Sequence, residues 1–156
     1  MTSFEQTLTV TSDHLDELQH VNNVQYLQWV QDVAGAHWQH LIRDNPTEFG
    51  LWVVRSHHIE YKRQAKLGDT LRVVTHVTTA EGFQSERRVR FFLGDTKTLV
   101  AQAAPSGAIL IPRPKNSCAS PQKYRRFLLK RHSVLDTESL RFNRLNDQSG
   151  SLSLSK

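Results

Sequence analysis

The chain has 156 residues and a mass of 17.9 kDa, the size of a single domain with one hydrophobic core. Its net charge of +5 is unevenly spread: residues 1–112 hold ten Lys/Arg against twelve Asp/Glu, whereas residues 113–156 hold ten against three. The basic character belongs to the C-terminal segment, so a nucleic-acid-binding body, which needs a basic patch on the folded surface, loses most of its support. The uncharged stretch Leu18 to Gln31 is full of Gln, Asn and His and offers no membrane span, and no charged-then-apolar signal segment opens the chain. We expect a soluble, cytoplasmic protein with no nucleic-acid partner. The single Cys118 cannot form an internal disulfide, which fits a reducing compartment, and with no His near it in sequence it reads as a free thiol.

In chain order, Phe4, Gln6, Leu8 and Val10 alternate with Glu5, Thr7 and Thr9, predicting a short strand. A polar stretch, Leu15 to Asn23, leads into a helical pattern. Tyr26, Leu27, Val30, Val33, Ala34, His37, Trp38 and Leu41 recur at spacings of three and four and predict a helix over about residues 24–42. Asn22 or Asn23 is the expected N-cap, and Asp44, Asn45 and Pro46 end the helix.

From Leu51 the pattern is strand-like. Leu51 to Lys62, Thr70 to Thr79, Gly82 to Leu93 and Thr98 to Ile111 are rich in Val, Ile, Thr and aromatics and are separated by turn chemistry. Arg87 is the one intruder on the apolar face of the third of these. The short links favour antiparallel neighbours, giving an α+β layout in which about five strands cover one long helix. After Pro112 the chain turns polar: Gln122 to Lys130 predicts a short basic helix, and residues 131–156 a polar, Ser-rich tail beyond a domain of residues 1–130.

The residues that carry chemistry are concentrated in Asp16-Glu17-Leu18-Gln19-His20-Val21-Asn22-Asn23-Val24-Gln25-Tyr26. A carboxylate stands on a loop just before a helix whose first open amides stabilise negative charge, an arrangement suited to attack on a carbonyl. The competing reading is that Asp16, Asn22 and Asn23 only cap the helix.

This string, D-x-x-x-H-V-N-N-x-x-Y before a long helix, resembles the acyl-CoA thioesterases of the 4-hydroxybenzoyl-CoA thioesterase type in the hotdog-fold superfamily, whose opening reads D-x-D-x-x-G-H-V-N-N-x-x-Y. The likeness covers about residues 5–125, through the Gly68-Asp69 turn and the later Leu99 to Ala103 and Ile109 to Pro114. It implies a hotdog fold and a thioesterase in which Asp16 is the nucleophile or the general base, the Asn23 amide helps hold the oxyanion, and His20 shapes the catalytic loop. Asn22 reads as shaping that loop and the substrate site beside it, Tyr26 as core or acyl-pocket wall, and Arg55, His58, Lys62 and Arg63 as candidate substrate-binding residues whose alternative is a solvated strand face. Arg55, Lys62, Arg63, Arg87 and Arg88 are candidates for the phosphates of coenzyme A. The implied substrate is an acyl-CoA or an acyl-carrier-protein thioester, with no cofactor and no metal. The implied assembly is a homodimer or homotetramer with its site at the subunit interface.

Two departures stand out: His14 replaces the first acidic residue, and Gln19 replaces the Gly, which predicts an altered loop because Gly reaches backbone angles that Gln does not. A hydratase of the same fold is a weaker match, since Asp16 to His20 is one residue short of that spacing and no Asn-Pro follows. A non-catalytic hotdog module that binds an acyl group or a partner is the reading from a different class. Among the eight histidines, His37-x-x-His40 and His57-His58 lack the Glu or Cys spacing of a metal site and read as packing or ligand contact. Trp29, Trp38 and Trp52 read as core or interface. Residues Arg113 to Arg131 are expected near the mouth of the site, where they would attract an anionic carrier.

Overall fold

In the computed structural model, the described residues are 3–43 and 51–110, together with 120, 122, 125, 126 and 128. Asp44 to Pro46, Cys118 and the tail 131–156 lie outside them. The chain opens with strand β1, Phe4–Thr9, passes through a 3-10 turn, Ser12–His14, and enters helix α1, Asn23–Ile42. The strands β2 (Leu51–Ser56), β3 (Ile59–Tyr61), β4 (Thr70–Glu81), β5 (Gln84–Leu93), β6 (Leu99–Ala103) and β7 (Ser106–Leu110) follow. This is one antiparallel sheet packed on one long helix, the hotdog architecture.

Seven segments form where about five strands were predicted, because two of the predicted strands are each broken once. β2 pairs with β7 and β3 with β6, and the two ladders follow one another along the same pair of chains. The Ala104 amide donates to the His58 carbonyl at 2.8 Å across the gap, so the pairing continues through the break. Pro105, which has no N–H to give, stands at the interruption, and there its carbonyl accepts from Arg87 at 3.1 Å. Counted by ladders the sheet has five strands, in the order β1, β4, β5, β6/β7, β3/β2. Breaks and bulges give a sheet the curvature it needs to wrap a helix.

α1 buries Tyr26, Trp29, Val30, Val33, Ala34, His37, Trp38, Leu41 and Ile42 on one side. Its first half packs on Leu71, Val73, Val89, Phe91, Val100 and Ala101 from the inner face of the sheet. Its second half forms a smaller cluster of Trp38, Leu41 and Ile42 with Val77, Ala80 and Leu128, against which Trp52 packs. The described positions of the predicted basic helix, Gln122, Arg125, Arg126 and Leu128, are helical. Leu128 anchors them beside the C-terminal end of α1, the end of this chain's helix remote from Asp16, rather than beside the loop that carries Asp16.

Alternation along β5 points Ser85, Arg87, Val89 and Phe91 inward. Arg87 is therefore inside the molecule at 4% exposure, and it is not available to coenzyme A. Its Nη1 donates to Thr75 Oγ1 at 3.1 Å and lies 3.2 Å from His37 Nδ1, and its guanidinium stands 5.4 Å from the Trp52 ring centroid. A buried cation needs such partners, and here they tie α1 to β4 and β5. His37 also stacks on Phe4, with ring centroids 5.4 Å apart.

Where β2 meets β7, the Trp52 indole covers Gly107 and donates to Ser85 Oγ at 2.9 Å. A Cβ at Gly107 would strike the Trp52 ring and lie 2.7 Å from the Val53 carbonyl oxygen. Gly107→Ala should therefore destabilise the fold by about 1–3 kcal/mol through overpacking, read as a lower denaturation midpoint at unchanged slope.

Candidate active site

The loop before α1 closes on itself. Leu15 and Val21 form an isolated antiparallel bridge, the Asp16 amide donates to the His20 carbonyl at 2.8 Å, and the Gln19 amide donates to the Asp16 carbonyl at 3.0 Å. Asp16 Oδ1 accepts from the amides of Leu18 at 2.9 Å and His20 at 3.1 Å. The carboxylate is thus pinned by one oxygen, and among the described residues nothing donates to Oδ2.

Capping of α1 falls to Asn22, whose Oδ1 accepts from the Val24 amide at 2.9 Å. Asp16 is not the cap, which separates the two readings that the sequence left together. With Val24 satisfied by the cap, the Asn23 amide has no acceptor among the described residues and remains an open donor of the first turn.

The chain adopts the tight loop despite Gln19. Gln19 has φ +60°, the left-handed region, and it is the only non-glycine residue with positive φ among the described residues. The loop therefore carries local strain at this position: Gln takes the angle that Gly takes freely. His14, where the family has its first acidic residue, accepts from the Thr11 amide on Nδ1 at 3.0 Å and sets its ring edge against Trp29 at 5.0 Å. Its backbone carbonyl takes the Asn22 amide at 2.9 Å. Here this position braces the loop.

The loop is clamped from the other side by the Gly68-Asp69 turn. Val21 donates to Ala65 O at 2.9 Å, Lys66 donates to Asp69 Oδ2 at 2.8 Å, and Val10 donates to Asp69 O at 2.9 Å. The segment after β3 is held by a single carbonyl, since Val100 O accepts from both Lys62 at 2.8 Å and Arg63 at 3.0 Å.

Between these two borders lies a cleft of about 280 Å3 lined by Asp16, Leu18, His20, Val21, Asn23, Tyr26, Tyr61, Lys62, Arg63 and Gln64. Six of the predicted site residues, Asp16, His20, Asn23, Tyr26, Lys62 and Arg63, therefore meet in one place. Asn22 lines an adjoining shallow hollow with Leu15 to Leu18. Arg55 and His58 are not brought to the cleft. Arg55 is the extra residue of a bulge between Val54 and Ser56, and it lines a separate polar cleft with Glu81, Gln84 and Glu86. His58 is exposed and its Nε2 lies 3.5 Å from Glu60 Oε1.

Two residues that the sequence reading did not single out bear on this site, Tyr61 as part of the cleft lining and Glu60 as the ion-pair partner of Lys62. Tyr61 stands over the cleft, edge-on to Tyr26 at 5.5 Å, and donates to the Asn23 carbonyl at 3.3 Å. Glu60 pairs with Lys62 at 2.5 Å, and that hydrogen bond, followed by one from Gln102, holds its carboxyl down at about 2. The i, i+2 spacing of Glu60 and Lys62 at the end of the predicted strand Leu51 to Lys62 was the available signal. Tyr26 is pushed up to about 12, chiefly by burial and then by the neighbouring Tyr61 and Asp69. No three His, Cys, Asp or Glu side chains form a metal-holding group among the described residues. No described helix is long and apolar enough to cross a membrane.

A family profile for the thioesterase-like superfamily matches residues 10–110, from the end of β1 to the end of β7. No curated protein matches the sequence. Solved structures that share the fold at low identity include the following three. YbaW from Escherichia coli, described as a "probable thioesterase", is 22% identical with a TM-score of 0.67 over 80% of this chain and 95% of that one. A 1,4-dihydroxy-2-naphthoyl-CoA thioesterase from Synechocystis is 18% identical with a TM-score of 0.63 over 81% and 96%. A hypothetical protein from Staphylococcus aureus, solved in complex with CoA, is 18% identical with a TM-score of 0.68 over 81% of each chain.

Relief of the strain at Gln19 is directly measurable. Gln19→Gly should raise stability by about 1 kcal/mol or less, the left-handed penalty reduced by the entropy glycine gains in the unfolded chain, and the melting temperature should rise by a few degrees at most. The profile match over most of the described chain and the hotdog architecture place the protein in the thioesterase-like superfamily.

Proposed function

We propose that the protein hydrolyses an acyl-CoA thioester to the free acid and coenzyme A. One observation carries this reading: Asp16, braced through one oxygen and with the other open, lines the same cleft as Asn23, whose amide is an open donor of the first helical turn. A thioester carbonyl laid against that turn meets an amide donor and the positive end of the helix dipole where negative charge develops. Asp16 then acts in one of two ways. As general base it takes a proton from water, which adds to the carbonyl, and the thiolate leaves. As nucleophile its oxygen displaces the thiolate and forms a mixed anhydride, which water opens to the acid and the restored carboxylate.

Lys62 and Arg63 on the rim supply positive charge for an anionic carrier, Lys62 sharing its charge with Glu60. The complex of a related fold with CoA supports CoA as that carrier. His20 and Asn22 serve the reaction through the loop: His20 by its amide on Asp16, Asn22 by capping.

Asp16→Asn is the informative variant, because its side-chain oxygen can still accept from Leu18 and His20 while the charge is gone. In a thiol-release assay over an acyl-CoA panel, it should fold as wild type and lose about 10²–10⁴-fold in kcat. Unchanged turnover in this variant overturns the assignment. Wild-type turnover restricted to acyl-carrier-protein thioesters would make the carrier protein the thiol donor, and none on either class would leave a non-catalytic acyl-binding module.

The chain also has an edge to cover. β3 ends one side of the sheet, and the exposed apolar residues Leu18, Val24, Tyr61 and Leu67 belong to the cleft borders, the first turn of α1 and the Gly68-Asp69 turn. We expect a homodimer or a tetramer of dimers that buries them beside the site. Light scattering at micromolar concentration should give two or four times 17.9 kDa, and a monomeric mass contradicts this.

A further inference from the structure

Tyr26 presents a polar group that no described residue of the protein uses. The residue is 2% exposed, and its hydroxyl is buried with no hydrogen-bond partner among the described residues. Buried hydroxyls are nearly always bonded, so an orphan beside a cleft points to a partner that arrives with a ligand. The ring cannot turn to find another acceptor, because Trp29 at 5.4 Å, Phe91 at 5.3 Å and Tyr61 at 5.5 Å hold it edge to face. Trp29 and Phe91 belong to the core, whereas Tyr61 is 44% exposed and its own hydroxyl makes one long bond of 3.3 Å. A ligand reaches Tyr26 by moving Tyr61. Burial keeps the phenol protonated at any working pH, so it serves as a neutral donor.

We propose that Tyr26 determines specificity by donating a hydrogen bond to an oxygen on carbon 3 of the acyl group, which makes 3-hydroxyacyl and 3-oxoacyl thioesters the preferred substrates. This rests on the thioesterase reading above. Asn23 and Tyr26 lie three residues apart on one face of α1, a rise of about 4.5 Å, and side chains on a helix lean toward its N-terminus. The acceptor for Tyr26 therefore lies a few atoms from the thioester carbonyl and not at the far end of the chain. A cleft of about 280 Å3 suits a short acyl group of this kind.

The test compares butyryl-CoA with both enantiomers of 3-hydroxybutyryl-CoA, for wild type and Tyr26→Phe. Wild type should favour one hydroxylated enantiomer by about tenfold in kcat/KM, the effect of one neutral hydrogen bond, and Tyr26→Phe should bring that ratio near one whatever happens to overall turnover. The variant should melt no lower than wild type, since it loses an unmet hydroxyl and keeps the ring. A wild-type ratio near one overturns the inference, as does a ratio that survives Tyr26→Phe. If wild type hydrolyses none of these, the wider panel above judges the hydrolase reading, and binding judges the contact. The Kd values of the S-butyl and S-(3-hydroxybutyl) thioethers of CoA then decide: a preference lost in Tyr26→Phe upholds the contact, and equal affinities overturn it.

Discussion

The burial of one helix by one sheet is the constraint on which the molecule depends. α1 is the only long helix among the described residues, and its apolar face runs from Tyr26 to Ile42. Among the described residues, Leu128 of the basic helix covers part of the C-terminal end of that face, and the sheet supplies most of the remaining covering surface. A flat sheet would leave the helix ends open. The paired breaks at His57-His58 and Ala104-Pro105, with the bulges at Arg55 and Thr78, are where regular pairing yields while the ladder remains continuous. Arg87 shows how strongly this packing is imposed. Its guanidinium is carried inward by strand alternation and is accommodated between Thr75, His37 and the Trp52 ring.

The site follows from the same constraint. A helix laid along a sheet has its first turn at one border of the sheet, where its open amides cannot be met by the strands. The loop from Leu15 to Val21 arrives there already closed by its own hydrogen bonds, with Asp16 used on one side as a brace. Strain is concentrated in this loop, at Gln19, and the Ala65 to Asp69 turn and the Val100 carbonyl hold its surroundings in place. Rigid borders of this kind hold the Asp16 carboxylate and the open Asn23 amide in register, as the proposed chemistry requires.

Much of this was readable in one dimension. The period of three and four from Tyr26 to Leu41, the alternation along Phe4 to Val10 and Ser85 to Leu93, and the cap at Asn22 all reflect local preferences written in neighbouring residues. The D-x-x-x-H-V-N-N-x-x-Y string pointed to the candidate cleft because its residues lie within eleven positions of one another. The strand breaks were harder to see. Pro105 was a visible signal, but its counterpart at His57-His58 has no such marker and exists because the partner strand is interrupted opposite it.

By itself, the sequence determined the α+β class, the family resemblance and the loop that carries Asp16, since each depends on short-range pattern. Only the tertiary structure decided which cations meet that loop. Lys62 and Arg63 reach the cleft because the Val100 carbonyl turns the chain there, Arg55 is sent elsewhere by a bulge, and Arg87 is taken inside. It also left the Tyr26 hydroxyl without a partner among the described residues, enclosed by three rings drawn from α1, β3 and β5. Residues distant in sequence settle such matters, because burial and register are properties of the packed sheet and not of any one segment.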